Sequence, residues 1–305
     1  MACYRPLEAW RMEDGSISFN AKNRWSGQPL QLNCGRCIGC KIERSRQWSI
    51  RIMHESMLWD MNSFTTLTYN DEHLPDELKK KHVQAFFKSL RKTLERKGRG
   101  KIRYYAVGEY GDRTKRPHYH LCIFNYWPPD AKLIKNEGEN PIYSSSELSN
   151  SWPYGFTSTG KLTWDSASYV AGYVTKKFTD YSNTLGPTRK DFHYKGKQEE
   201  FSLMSRGGKT AKGTPLKGIG SLWYDKYKDE TWRDDYIIFN GKKLRPPLAY
   251  KRYLDNNDGE LSEEITHTRM EKLELLDPEE RKERRLKAKE QFQINRLKKF
   301  KKRKI

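Results

Sequence analysis

Apolar and polar positions along the chain change period several times, and those changes mark out its elements. Residues 63–69 (SFTTLTY) alternate and are rich in threonine, the pattern of a strand with one covered face, and Asn70-Asp71 close it. Residues 79–97 carry Val83, Phe86, Phe87, Leu90 and Leu94 at helical spacing, with lysine and arginine over the rest of the surface. His82, at the start of that helix, reads as a surface residue, and Gly98 and Gly100 stop it. Residues 101–109 (KIRYYAVGE) and the apolar run that ends at Phe124 predict two further strands, joined by the turn-rich residues 110–117. Residues 154–162 predict a fourth strand. Asp165 then reads as the cap of a helix whose Ala167, Val170, Ala171, Val174 and Phe178 share a stripe. Residues 42–59 predict another helix, with Ile42, Trp48, Ile52, Met53 and Met57 on a broad face. Residues 127–152, rich in proline, asparagine and serine, read as a long loop. Strand, helix, three strands, helix over 60–180 is the order of an α+β layer, a mainly antiparallel central sheet with flanking helices.

The chain therefore divides into a cysteine-containing segment and helix (1–59), an α+β core (60–180), an aromatic and basic accessory region (181–260) and a basic helical or disordered tail (261–305). Beyond Thr179 the periodicity weakens. The glycine-rich stretches at 205–209 and 213–220 follow no strand in phosphate-loop fashion, so no nucleotide site is assigned to them. Residues 281–305 hold 13 lysines and arginines against 2 glutamates, a net +11 of the whole chain's +20. Without a sustained apolar stripe this tail reads as a mobile or DNA-induced helix rather than a packed one.

A net charge of +20 points to a polyanionic partner, nucleic acid before membrane. Arg116, Lys177, Arg284, Arg285, Lys298 and Lys299 are the candidate contacts to DNA phosphates. No stretch approaches the ~18 apolar residues of a membrane span, and the first residues lack the apolar segment of a signal peptide. Five cysteines, three of them within residues 34–40, do not resemble a secreted disulfide framework. A reducing cytoplasm follows from that.

Three groups of residues carry candidate chemistry. His118 and His120 alternate with Tyr119 on a strand, so both imidazoles project from one face and can share a metal ion. If the two central strands form a hairpin, Glu109 lies opposite His118 and adds a carboxylate to the pair; the bland alternative is a solvated glutamate at the start of a loop. Cys34, Cys37 and Cys40, with Cys3 as a fourth thiolate, have the composition of a structural zinc site, a sulfur cluster, or reduced thiols at a helix start. Tyr169 and Tyr173 share one helix face, away from the apolar stripe, and Lys176 joins them. That face is either an idle surface or a pair of nucleophiles beside a cation. Combined, these parts describe a divalent ion on a phosphodiester, a tyrosine attacking phosphorus, and a second tyrosine free for a second transfer.

His118-Tyr119-His120 after Gly108-Glu109-Tyr110-Gly111, with Tyr169-Val-Ala-Gly-Tyr173-Val-Thr-Lys176, resembles the motifs of HUH endonucleases that initiate rolling-circle replication. Residues 63–69 resemble their first, strand-forming motif. With Cys34 to Cys40, residues 43–48 (ERSRQW) and residues 218–227 (GIGSLWYDKY), the whole chain is similar to the replication initiators of gokushoviruses, single-stranded DNA phages. The resemblance implies nicking at a plus-strand origin, a 5′-phosphotyrosine intermediate, a free 3′-OH for a host polymerase and a circularising transfer. It further implies Mg²⁺ or Mn²⁺ on His118, His120 and Glu109, nucleophilic roles for Tyr169 and Tyr173, and Lys176 as the motif lysine. A host helicase as partner and the host bacterial cytoplasm as location are part of the same expectation. One departure matters: Tyr173 has its lysine three residues on, whereas Tyr169 has Gly172 there, which makes Tyr173 the expected initiating nucleophile. The competing readings are a plasmid-mobilisation relaxase, a non-catalytic DNA-binding protein with structural zinc, and an RNA-binding regulator.

Overall fold

A computed structural model describes residues 3–20, 22, 29–111, 113–136, 140–176, 197–206, 208–209, 215–275 and 277–302; of residues 173–176, 208–209, 215–216 and 298–302 it describes the backbone alone. The described residues fall into two compact units, one drawn from Met1–Arg44 and Asp258–Ile305, the other from Ser45–Tyr181 and Pro187–Asn257.

In the first unit, strands β1 (Leu7–Arg11), β2 (Ile17–Ser18) and β3 (Leu30–Leu32) form an antiparallel sheet in the order β2-β1-β3. The first turns of helix α1 (Ile38–Ser56) follow, and the tail contributes α7 (Gly259–Glu274) and α8 (Glu283–Lys302). The expectation of an unpacked tail is corrected here. Glu290 of α8 is almost fully buried and accepts a hydrogen bond from Arg5 Nε at 2.8 Å. A single buried carboxylate with an arginine partner fixes a helix that has no apolar stripe to advertise its docking.

The second unit is built on seven strands. These are β4 (Asn62–Tyr69), β5 (Arg103–Tyr110), β6 (Pro117–Phe124), β7 (Lys132–Lys135), β8 (Ile142–Ser144), β9 (Gly155–Lys161) and β10 (Phe201–Met204), in the order β10-β5-β6-β4-β9-β8-β7 and antiparallel throughout. Two small hairpins, β11 (Gly208–Lys209) with β12 (Pro215–Leu216) and β13 (Ile237–Phe239) with β14 (Lys242–Leu244), stand apart from the sheet. The helices of this unit are the later turns of α1, then α2 (Lys80–Arg96), α3 (Ser146–Ser151), α4 (Trp164–Lys176), α5 (Ser221–Arg233) and α6 (Leu248–Asn257). The fold is α+β, as the order of sequence patterns predicts.

Alternation splits the sheet into two covered faces. Leu67, Ala106, Tyr119, Leu121 and Ile123 point to one face and pack under Val83, Phe86, Phe87, Leu90 and Leu94 of α2. Tyr105, Val107, Cys122 and Phe124 point to the other, where Ile52 of α1 and Ala167, Val170 and Ala171 of α4 close over them. Several local expectations are corrected. Residues 127–152 are not a plain loop: they hold β7, β8 and α3, and buried Glu147 ties them to the core through Lys97 (2.6 Å), Arg99 (2.8 Å) and Tyr126 (2.9 Å). His82 is half-buried, with Nδ1 2.8 Å from the Tyr69 hydroxyl and its ring stacked on Tyr154 at 4.1 Å. Met57 is largely exposed rather than part of the α1 core face. Beyond residue 179, β10 completes the sheet beside β5, and it precedes a strand rather than a phosphate-binding helix start.

The residues 218–253 that carry so many aromatics cover α1. Glu55 is fully buried, accepts from Gly220 N at 2.8 Å and forms an ion pair with Arg103 Nε at 3.1 Å. Gly220 needs its glycine: φ is +77°, and a Cβ there would lie 2.8 Å from the Tyr250 hydroxyl and 3.0 Å from the Arg51 carbonyl. One residue earlier on α1, His54 Nδ1 shares a 2.9 Å hydrogen bond with the Tyr250 hydroxyl, and its ring stacks on Trp223 at 3.4 Å. Burial pushes this histidine down to about 3. Its folded value lies below the unfolded one near 6.5, so the unfolded chain binds the proton more readily as acid is added. Its contribution is intact above about pH 6.5 and is lost progressively toward about pH 3. Stability should therefore fall by about 1.4 kcal/mol per pH unit within that window, and His54→Gln should flatten the fall. Urea unfolding at a series of pH values measures this; an unchanged slope in the variant would assign the acid lability elsewhere.

Candidate metal centre and the tyrosine helix

The connection between β5 and β6 is closed by Gly111 N donating to Arg116 O and Lys115 N donating to Gly111 O, both at 3.0 Å, with Lys115 at φ +56°. That closure fixes the register. Glu109 pairs with His118 and Val107 with His120. Tyr105, Val107 and Glu109 thus share a face with His118, His120, Cys122 and Phe124. The row begins as core under α1 and α4 and ends, at the mouth of the hairpin, in one carboxylate and two imidazoles.

Glu109 Oε1 lies 2.6 Å from His118 Nε2 and 3.1 Å from His120 Nε2. The far nitrogens are held in place. His118 Nδ1 is 3.1 Å from the Arg116 carbonyl, a contact in which only the ring N–H can donate, and His120 Nδ1 is 3.0 Å from the Thr66 hydroxyl. Thr66 is the β4 partner of His120. Arg116 braces the start of β6, its guanidinium 2.6 Å from Asp71 Oδ1 and 3.1 Å from the Tyr69 carbonyl. Burial pushes the Glu109 carboxyl up, but hydrogen bonds from His118 and His120 outweigh it and hold the group below the ordinary glutamate value. Its second oxygen, Oε2, is buried without a hydrogen-bond partner. The three ligand atoms lie within 4.8 Å of one another. Two imidazoles tied back through Nδ1 and a carboxylate with an orphaned oxygen make a set that fits a divalent cation.

Helix α4 is placed against this row by its own start and its small residues. Thr163 and Ser166 cap reciprocally: Ser166 N donates to Thr163 Oγ1 at 3.3 Å and Thr163 N to Ser166 Oγ at 2.8 Å. Asp165 is therefore not the cap but a first-turn residue, where its charge favours the helix dipole. Ala167, Val170 and Ala171 are fully buried. Tyr169 turns the other way, is 44% exposed, and meets His120 edge-on with ring centroids 5.1 Å apart. Phe64 stacks on the His120 ring at 5.5 Å and meets Tyr169 at 6.4 Å. Tyr173 and Lys176 lie on the same helix, but their side chains are outside the described residues, and Lys177 is outside them altogether.

A second cluster lies in the first unit. Cys3 Sγ is 3.6 Å from Cys34 Sγ and 3.9 Å from Cys37 Sγ, and Cys34 Sγ is 4.0 Å from Cys40 Sγ. Backbone N–H groups of Tyr4, Cys34, Arg36, Cys37 and Cys40 point at these sulfurs at 3.3–3.5 Å. Four thiolates about 2.3 Å from one ion stand about 3.8 Å apart, so the spacing fits a single tetrahedral metal. The Cys40 thiol beside it holds Cys37 well below the usual thiol range, and burial pushes Cys3 up. In the tail, Arg284 is exposed and Arg285 pairs with Glu280 at 2.9 Å. The side chains of Lys298 and Lys299 lie outside the described residues.

Glu109, His118, His120 and Tyr169 come together, as do the four cysteines. Thr66 and Phe64 escaped the sequence reading. Their only signal is the pairing of β4 with β6, a contact between distant segments that no local pattern carries.

The family model for replication-associated protein ORF2 matches residues 62–178. The chain is similar to replication-associated protein VP4 of Bdellovibrio phage phiMH2K, 33% identical over 93% of this chain and 87% of that protein. It is similar as well to replication-associated protein ORF2 of Spiroplasma virus 4, 32% identical over 84% of this chain and 79% of that one. No solved structure gives a significant match.

The residue before the carboxylate is as constrained as the carboxylate itself. A Cβ on Gly108 would come within 2.9 Å of Phe201 Cζ and 3.1 Å of Tyr119 Cδ1, the rings of its partners on β10 and β6. Gly108→Ala should cost about 1–3 kcal/mol in urea unfolding, and a Phe201→Leu background should recover part of the loss. Full additivity of the two changes would show that the ring contact is not the cause.

Proposed function

We propose, because this chain belongs to the replication-associated proteins of single-stranded DNA phages of the gokushovirus type, that it is a metal-dependent, site-specific DNA endonuclease and strand transferase. It acts in the host cytoplasm, opening the plus-strand origin for rolling-circle replication and rejoining the displaced strand. The observation that supports this most is the convergence of Glu109, His118 and His120 on one face with the Tyr169 ring 5.1 Å from His120.

His118, His120 and Glu109 would hold Mg²⁺ or Mn²⁺. The ion would supply positive charge to the non-bridging oxygens of the scissile phosphodiester. The phenolic oxygen of a tyrosine on α4 bonds to phosphorus while the bond from phosphorus to the 3′ oxygen breaks. The tyrosine loses its proton, the 3′ oxygen gains one, and the products are a 5′-phosphotyrosine and a free 3′-OH. The phosphotyrosyl bond keeps the energy of the cleaved one, so the reverse attack by a 3′-OH reseals DNA. Tyr173 is the initiating nucleophile, because Lys176 follows it by three residues and Gly172 stands in that position for Tyr169. Tyr169 carries the second transfer. The placement of Tyr169 beside His120 favours a second reading in which it acts first. The free 3′-OH goes to a host polymerase, a host helicase separates the strands, and the basic residues of the tail, Arg284, Arg285, Lys298 and Lys299, with Arg116 and Lys177 in the core, hold phosphates. Among the described residues no helix is long and apolar enough to cross a membrane.

Incubation with plus-strand DNA and Mn²⁺, followed by a denaturing protein gel, tests the chemistry. Wild type should give a shifted covalent band that EDTA abolishes and Tyr173→Phe lacks. Loss of the band in Tyr169→Phe alone would exchange the two roles, and no band with any origin-containing DNA would defeat the nuclease reading. Cys3, Cys34, Cys37 and Cys40 hold one structural Zn²⁺, the ion that tetrahedral thiolates at this spacing suit. Purified protein should carry about one zinc per chain by elemental analysis, and Cys34→Ser should lose it and melt lower. Iron in its place, or no metal with unchanged melting, would remove that assignment.

A further inference from the structure

The cross-strand row that begins at Glu109 continues past the candidate metal centre. Glu109 pairs with His118, His118 with Thr68 and Thr68 with Phe156, so all four side chains project from one face across β5, β6, β4 and β9. The buried stripe of α4 covers this face over β5 and β6. Over β4 and β9 the cover thins. Ser63, Thr65, Leu67 and Tyr69, on the opposite face of β4, are buried, whereas Phe64, Thr66 and Thr68 on this face are only partly so. Ser158 and Gly160 of β9 are likewise half-exposed. The result is a strip floored by small and hydroxyl side chains, running away from the two histidines. At the end of the row stands Phe156, 68% exposed.

A phenyl ring left in water on an ordered strand forgoes the burial that placed every other large side chain of the row. Neither β4 nor β9 carries an acidic side chain, so nothing on these strands repels a polyanion. Strands lie ~4.8 Å apart, which puts Phe156 two steps, or ~10 Å, from His118. That is the reach of one or two nucleotides of extended strand. We propose that the strip over β4 and β9 seats single-stranded DNA beside the scissile phosphate, and that Phe156 is the ring on which a flanking base stacks. The proposal rests on the nuclease reading for the position of the phosphate and adds a base-binding residue to it. A phenyl face accepts any base, so Phe156 contributes affinity and register rather than sequence choice.

The test separates the two readings by measuring binding without cleavage. Plus-strand fragments of about 20 nucleotides are ranked by fluorescence anisotropy in EDTA, and the tightest is remade with single abasic sites at successive positions. For wild type, one abasic position should weaken binding about tenfold. Phe156→Ala should bind the intact strand about tenfold more weakly and lose the penalty at that position alone, because the base and the ring are partners in one contact. Phe156→Trp should restore both, and the melting temperature of Phe156→Ala should match wild type, as its ring is exposed. Wild-type affinity in Phe156→Ala, a loss spread equally over intact and abasic strands, or no fragment bound at all would overturn the proposal. The same strands are then run with Mn²⁺ on the denaturing gel. An absent adduct with an intact abasic profile would sink the nuclease reading and leave the stacking contact standing.

Discussion

Everything at the candidate centre depends on one backbone register, Glu109 opposite His118. Strand side chains alternate with period two, so a slip of one residue would turn Glu109 toward the α2 face and leave the two imidazoles without a carboxylate. Several features make that slip expensive. It would drive Tyr105, Val107, Cys122 and Phe124, buried under α1 and α4, against partners shaped for other residues. It would move Gly108 out from between the Phe201 and Tyr119 rings, where only a glycine fits. The closed turn between Gly111 and Arg116 allows one alignment. Polar groups that bind nothing for stability are thus positioned by apolar groups that bind nothing for function.

The same division runs through the second-rank residues. Thr66 reaches His120 because β4 pairs with β6, and Tyr169 reaches it because Ala167, Val170 and Ala171 are small enough to let α4 lie close to the sheet. Glu55 is remote from the histidines, yet it joins α1, β5 and the Gly220 turn through Arg103 and the Gly220 amide. It holds the end of β5 opposite to Glu109. Removing its charge would strand Arg103 in a nearly closed site, the costly case for a buried ion pair.

How much of this was legible in the sequence follows from contact distance along the chain. Glu109 against His118 spans nine residues and a turn, and it could be read from alternation and a hairpin. The helical stripe of α2 could be read for the same reason, and the buried face of α4 could be too. Thr66 could not, since β4 enters the sheet between β6 and β9 by pairings across more than fifty residues. His82 looked like surface because a lysine-rich helix start hides the Tyr69 hydroxyl and Tyr154 ring that it meets. The strands and short helix within 127–152 fell below the length at which a period can be counted. Glu290 is the extreme case: one buried carboxylate docks a helix whose composition argues for none.

The two candidate metal sites differ in a way that bears on their proposed roles. Four thiolates with backbone N–H groups turned onto them would close the coordination sphere of a zinc ion and leave no place for a substrate. One carboxylate and two imidazoles at the end of a sheet leave positions of a hard divalent ion open, on the side where Tyr169 lies and where the strip of β4 and β9 is uncovered. A chain that must both stay folded and let a phosphodiester reach its metal benefits from keeping the two tasks on different ligand chemistry. Thiolates prefer zinc, and the oxygen and nitrogen set admits Mg²⁺ or Mn²⁺ with water or phosphate in the remaining places. Exchange of the ion at one site need not unfold the structure that the other maintains.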